Sequence, residues 1–302
     1  MIRSASFTAQ GPGRLDLAVV GAFPSVPRRF VREAPRGAIL VDGKPAGKGA
    51  KLKGGEKIEI AGLAEYSDVR IAPDRSAPAP DPVFCDDSLL AFSKPAGMPV
   101  QPLKRGEKGT LMNAVVARWP ETALAGEDPM MGGALHRIDI GTSGLVLVAR
   151  TRKAYDSLRA QFKAQSVEKI YLALVEGAVA VGGRIESDLA MERNAQRCKM
   201  CDARRYPDLK RPMHAVTEYR PLERRTRQRA EETLLEVKIF TGVTHQIRCQ
   251  LASAGIHIVN DTLYGAFPVD GMTGHALHAL SASFLHPESG DPCTIRAECT
   301  AF

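Results

Sequence analysis

The sequence predicts an α+β fold built on a mixed, mostly antiparallel sheet flanked by helices and loops. Two observations carry that expectation. Strand-like runs follow one another without intervening helices, which disfavours a doubly wound parallel sheet. A proline-rich stretch also divides the 302 residues into a short basic N-terminal part and one large remainder, residues 83–302. No repeat of 20–50 residues is evident, so a solenoid or propeller is not expected.

Taken in order, residues 12–62 read as a small basic module. A helical stretch carrying Arg28, Arg29 and Arg32 precedes A-I-L-V-D-G-K-P-A, whose Asp42-Gly43 marks a hairpin turn. L-K-G-G-E-K-I-E-I then supplies a second turn and a strand alternating apolar and charged residues. Residues 73–82 hold Pro73, Pro78, Pro80 and Pro82, a composition that favours extended chain and excludes a central strand. This segment is expected to be a linker. Beyond it the strand candidates are L-L-A-F-S-K, G-L-V-L-V-A-R, K-I-Y-L-A-L-V-E-G, H-A-V-T-E-Y-R, T-L-L-E-V-K-I-F and A-L-S-A-S-F. Helices are expected over Leu111–Arg118, Ala154–Ala164 and His245–Ser253.

Composition narrows the function. Forty-one Lys+Arg against 34 Asp+Glu give a net charge of +7, which suggests a polyanionic partner, nucleic acid before an anionic membrane surface. A hydrophobic content of 44% excludes disorder throughout. The longest apolar runs, such as Gly144–Ala149, fall far short of the ~20 residues of a spanning helix. M-I-R-S-A-S-F-T-A-Q has no apolar signal region, so a cytoplasmic protein without membrane attachment is expected. Six cysteines are too few for a disulfide scaffold, and Cys198-Lys-Met-Cys201 lacks the second pair a zinc ribbon needs. Reduced thiols and no metal are expected. Dinucleotide, Walker and H-E-x-x-H signatures are missing.

The most informative run is A-L-H-R-I-D-I-G-T-S-G-L-V-L-V-A-R, residues 134–150. It is a polar loop carrying Asp139, closed by Thr142-Ser143-Gly144 and followed by a buried strand. A carboxylate on a loop held by a rigid strand suits a reactive group. Alone, such an aspartate is more often a turn residue accepting backbone hydrogen bonds. Ser143 is no hydrolase nucleophile, because G-T-S-G-L is not the G-x-S-x-G elbow. Between Arg193 and Arg229 lies a markedly basic stretch, suited to phosphates but also to a solvated face.

This run resembles the H-R-L-D-x-x-T-S-G-L signature of the RluA-type pseudouridine synthases, which modify ribosomal and transfer RNA; Ile138 replaces the usual Leu. Other segments follow in the family's order. Asp86-Asp87 with Lys94-Pro95-Ala96-Gly97 matches its D-D-x-L-L-x-x-x-K-P-x-G segment, and Lys169-Ile170-Tyr171 its K-x-Y strand. Thr241-Gly-Val-Thr-His-Gln-Ile-Arg248 resembles T-G-R-T-H-Q-I-R and continues into Asp261-Thr-Leu-Tyr264-Gly265. His278-Ala279 through His286-Pro287 matches the closing strand, so the similarity spans about residues 83–287. The N-terminal part resembles the S-four-like (alpha-L) RNA-binding module through Arg14-Leu15-Asp16, its arginine cluster and its V-D-G-K and G-G-E-K-I-E-I hairpin. The implied domains are residues 1–72, a linker at 73–82, and a catalytic domain over 83–302.

The resemblance implies a pseudouridine synthase fold and an enzyme that isomerises uridines in ribosomal or transfer RNA without a cofactor. It makes Asp139 the nucleophile, Arg248 its counter-ion and Tyr171 the ring packing on the flipped uracil, with proton transfer a lesser role for a phenol whose reference pKa is near ~10. Arg137 would fill the gap left in the RNA stack, and Arg28, Arg29, Arg32 and Lys94 would contact RNA. Without the motifs, Arg248 reads as a phosphate contact, Tyr171 as core and Arg137 as a salt-bridge residue. Val243 stands where the family usually has Arg, removing a charge near the site. RNA is the expected partner and a monomer the expected state. The alternative is a non-catalytic RNA-binding or ribosome-assembly protein derived from the family. A glycosidase would require a second acid beside Asp139.

Overall fold

The computed structural model describes residues 4–302 apart from 24–30, 32, 33, 48, 62–69, 77, 78, 105, 194–197, 207, 210, 228, 229 and 301, and the side chains of 193 and 198. The chain forms two compact units: Met1–Arg70 with Asp128–Met130, and Ile71–Glu127 with Met131–Phe302.

The smaller unit comprises β1 (Ser4–Thr8), β2 (Gly13–Arg14), α1 (Leu15–Ala22), β3 (Ile39–Val41), β4 (Lys44–Pro45), β5 (Lys51–Leu52) and β6 (Lys57–Ala61). Its four-stranded sheet runs β1-β6-β3-β4, and β2 pairs with β5. Asp42 and Gly43 join β3 to β4 with φ of 48° and 74°, the paired positive values that a tight hairpin with strand-matching twist requires. Ile58 and Ile60 alternate inward to meet Leu15 and Val19, while Lys57 and Glu59 pair outside. Helix α1 includes Gly21 and ends at Ala22, two residues before Pro24. Arg28, Arg29 and Arg32 lie outside the described residues.

The larger unit is the expected α+β structure. Its elements are β7 (Pro82–Cys85), β8 (Leu89–Lys94), α2 (Leu111–Arg118), α3 (Thr122–Ala125), β9 (Ser143–Ala149), α4 (Arg152–Lys163), β10 (Glu168–Glu176), β11 (Gly183–Arg193), β12 (Cys198–Asp202), β13 (Met213–Arg227), β14 (Ala230–Ile239), α5 (Gln246–Ser253), β15 (Leu277–Leu285) and β16 (Pro292–Arg296). A ten-stranded sheet runs β12-β11-β13-β14-β10-β15-β9-β8-β7, with β16 also on β15. Among the described residues only β9 and β15 pair in parallel, through Ser143 with His278 and Gly144 with Ala279. Residues at the start of the proline-rich stretch belong here too: Ile71 is buried, and Asp74 accepts hydrogen bonds from Ser76 and Gly109.

Burial explains why the two strands at the site read as unbroken apolar runs. Leu89, Ala91, Leu145 and Leu147 face one cluster with Tyr155 and Leu158 of α4. Leu90, Phe92, Val146 and Val148 face another with Leu111, Met112 and Val115 of α2. Successive side chains therefore enter opposite cores, and neither face of this part of the sheet is wet. The Thr110 hydroxyl and Asn113 amide close a capping box on α2, and Thr151 caps α4. Helix α5 ends in a Schellman turn: Ile256 donates to Leu251 and Gly255 to Ala252, with Gly255 at φ 77°. No described helix is long and apolar enough to cross a membrane.

Candidate active site

Asp139 sits on the loop that enters β9, at the start of the parallel pair. The loop is tied down at nearly every residue. Leu135 N–H donates to Leu147 O (3.0 Å), and Leu147 N–H donates to the His136 ring (3.1 Å). Burial drives the His136 pKa down to about 3, helped by the charges of Lys169 and Arg159, so the ring stays neutral and accepts that bond. Asp139 O receives Thr142 N–H (3.1 Å), closing a turn. The Thr142 hydroxyl meets the buried His275 ring at 2.7 Å, and the Ser143 hydroxyl meets His278 Nδ1 at 2.8 Å. Gly144, at φ 108°, passes so close to β15 that a Cβ there would lie 2.3 Å from Ala279 O.

Arg248 lies in the first turn of α5 and reaches across to this loop. Its Nη1 donates to Asp139 Oδ2 at 2.8 Å. The other edge of the guanidinium grips Asp261: Nε to Oδ2 at 2.7 Å and Nη2 to Oδ1 at 2.8 Å. Burial works against the charged guanidinium, but its bonds to Asp261 and Asp139 outweigh that and raise its pKa. Asp261 is buried, whereas the Asp139 side chain is 24% exposed and open to a ligand. The Tyr264 ring lies 5.1 Å beneath the guanidinium, and its hydroxyl meets His245 Nδ1 at 3.0 Å. Sequence reading gave Asp261 no role; the signal for it was a carboxylate in the run continuing from Arg248. Because Arg248 occupies both its oxygens, Asp261 is not the free second acid a glycosidase needs.

Residues 88–253 match the model of the RNA pseudouridylate synthase family. Over 300 residues the chain is 35% identical to ribosomal large subunit pseudouridine synthase D of Xanthomonas campestris pv. campestris, covering 92% of this chain and 83% of that protein. The chain belongs to the RNA pseudouridylate synthase family. The counterpart from Neisseria meningitidis serogroup A is 33% identical over 297 residues, covering 94% of this chain and 75% of its own. Two solved structures share the fold. Human RNA Pseudouridylate Synthase Domain Containing 1 superposes with a TM-score of 0.57 at 24% identity, over 72% of this chain and 82% of that one. Domain Containing 4 gives 0.53 at 18%, over 72% and 87%.

Within this pseudouridylate synthase, Tyr171 lies in mid-β10, at the bulge where that strand shifts register against β15. It is buried; desolvation raises its phenol pKa, and the Asp139 charge adds to the rise. A phenol pushed that way is ionised less at neutral pH and is so less available as a base. Arg137 is exposed and forms no ion pair among the described residues. That arrangement excludes the salt-bridge reading and leaves a free planar cation two residues from Asp139.

The structure corrects one expectation outright. Lys94 is fully buried and its ammonium donates to the carbonyls of Pro95 (2.9 Å), Met98 (2.8 Å) and Ile140 (3.3 Å), so it cannot contact RNA. It stitches the K-P-A-G turn to the residue after Asp139, joined by Gly97 N–H to Ile140 O at 2.7 Å. The motif identified the residue correctly but not its direction.

Two further features make structural contacts. Val243, in place of the family's Arg, packs with Leu189, Met200 and Tyr264 and serves the apolar contact beneath α5. In the described part of the basic stretch, Arg220 forks Glu236 and Arg227 binds Glu232 from the neighbouring strand, while Arg204 binds Asp202 and Arg225 binds Glu223 two residues away. The acids Glu232 and Glu236 reach it from the neighbouring strand, which a run of cations does not reveal. Among the described residues no group of three His, Cys, Asp or Glu is placed to hold a metal.

Proposed function

We propose that this pseudouridine synthase isomerises uridines in large-subunit ribosomal RNA, with Asp139 as nucleophile and Arg248 as its cationic partner. The observation that carries the reading is the 2.8 Å contact between Arg248 Nη1 and Asp139 Oδ2 on an otherwise accessible carboxylate. The ribosomal target is taken from the names of relatives such as those of Xanthomonas and Neisseria.

The reaction exchanges one bond for another. The glycosidic C1′–N1 bond breaks, the base rotates, C1′ bonds to C5, the C5 proton leaves and N1 takes up a proton. Nothing is oxidised and no water is consumed, so side chains suffice without cofactor or metal. Asp139 supplies the carboxylate that attacks either the anomeric carbon or the uracil ring, or assists departure of the base. Extruding a base costs a few kcal/mol, and the free guanidinium of Arg137 is the group suited to occupy the vacated stack. The Tyr171 ring packs on the extruded base. The N-terminal unit acts as the alpha-L RNA-binding module, with Arg28, Arg29 and Arg32 on phosphates, and the enzyme works as a cytoplasmic monomer.

A non-catalytic RNA-binding protein would have no chemical need for Asp139, Arg248 and Tyr171 together. Mapping pseudouridines across all RNA, in cells with and without this chain, tests the target. Loss of sites confined to large-subunit RNA is expected; unchanged maps, or losses confined to transfer RNA, contradict it.

A further inference from the structure

Asp261 is a carboxylate the proposed chemistry does not use, yet it is buried and held with care. Its own N–H bonds Ile258 O (3.0 Å), and its carbonyl receives Tyr264 N–H (3.0 Å) and Ala266 N–H (3.2 Å). Burying a carboxylate is costly unless it is paired, and its pair is Arg248. The planar guanidinium matches a carboxylate through two parallel N–H groups. Asp261 takes the Nε–Nη2 edge, at 2.7 and 2.8 Å, while Tyr264 lies under the guanidinium face. Only Nη1 is then turned to Asp139, where it meets Oδ2. Oδ1 of Asp139 makes no hydrogen bond among the described residues.

We infer that Asp261 is a positioning residue: by occupying one edge of Arg248 it limits that guanidinium to a single contact with Asp139 and leaves the second carboxylate oxygen open to the RNA. Without Asp261, Arg248 is free to rotate and fork Asp139, tying up both of its oxygens, or to swing away from it. In either case the reacting carboxylate loses its geometry while RNA binding, made elsewhere, persists. The inference rests on Asp139 being the nucleophile.

The test measures kcat and KM on transcribed large-subunit RNA for Asp261→Asn, in the wild-type and Arg248→Lys backgrounds. Misplacement of a reacting group predicts that Asp261→Asn lowers kcat about 10- to 100-fold while KM stays within about twofold. A lysine has no fork to be held, so in the Arg248→Lys background the same change adds less than about threefold. Wild-type kcat for Asp261→Asn, a loss in KM alone, or an equal loss in both backgrounds overturns the inference. Should circular dichroism show Asp261→Asn unfolded, Arg248→Lys decides by itself. It keeps the cation without the fork, and a kcat lowered about tenfold or more supports the inference while wild-type kcat overturns it. Asp139→Ala separates the two levels. Pseudouridine formation surviving there removes the nucleophile, whereas its loss beside an unimpaired Asp261→Asn removes only the role of Asp261.

Discussion

Arg248 and Asp139 stand 109 residues apart in sequence, yet Arg248 Nη1 and Asp139 Oδ2 lie 2.8 Å apart. The loop entering β9 delivers the carboxylate, and the first turn of α5 delivers the cation. An ion pair whose arginine is buried and anchored elsewhere is a fixed electrostatic feature rather than a loose surface contact. Arg248→Met is therefore expected to lower kcat by about 100- to 1,000-fold, the scale of losing one preorganised charge contact. Steady-state rates on transcribed RNA check this, and an unimpaired variant removes Arg248 from the reaction.

Lys94 yields a prediction opposite to the one its motif suggested. Lys94→Met leaves the carbonyls of Pro95, Met98 and Ile140 without their donor, at a cost of about 1–3 kcal/mol in stability. Activity falls as the loop next to Asp139 loosens. RNA affinity stays the same, because the ammonium never reaches solvent. Denaturant unfolding and a filter-binding titration measure the two quantities; a lowered affinity with unchanged stability would restore the RNA role.

The raised phenol pKa of Tyr171 separates its ring from its hydroxyl. Tyr171→Phe should keep kcat within about tenfold, since general acid–base catalysis, had it been lost, contributes 100-fold or more. Tyr171→Ala should abolish activity and cost about 3–5 kcal/mol, as a large buried side chain leaves a cavity among Ala173, Val237 and Ala279. Equal inactivation by both would return the proton to the hydroxyl.

His275 gives the fold a specific acid sensitivity. Burial, followed by the Arg248 charge, drives its pKa from 6.5 down to about 4. The unfolded chain thus binds a proton below pH 6.5 that the folded protein refuses until about pH 4, so stability is complete above pH 6.5 and declines as pH falls through that window. The loss approaches roughly 3 kcal/mol at the acid end. His275→Gln keeps a partner for Thr142 and removes the titration. The difference between wild-type and variant unfolding energies should narrow from pH 7 to pH 4.5, and a constant difference would contradict the assignment.

Much of this architecture was legible beforehand, and the exceptions share a cause. The unbroken apolar runs at β8 and β9 and the Asp42-Gly43 turn declared themselves because local pattern and tertiary burial agree there. Strand β11 was missed although Ile185, Ser187 and Leu189 face inward between exposed Arg184, Glu186 and Asp188. Its alternation is diluted by charge, and an apolar count passes over it. Strands β7, β12 and β16 are short pieces whose identity depends on a neighbour. At the site, the motifs placed Asp139 and Arg248 but were silent on direction. Whether Lys94 points at RNA or at three carbonyls, and whether Asp261 holds Arg248, is decided by folding that joins distant segments.

The central claim is that the Asp139 carboxylate performs the chemistry. Purified Asp139→Ala, incubated with transcribed large-subunit RNA and read by counting pseudouridine, tests it most directly. The expected result is no pseudouridine above background, with RNA affinity and the circular dichroism spectrum unchanged; isomerisation at the wild-type rate would contradict it.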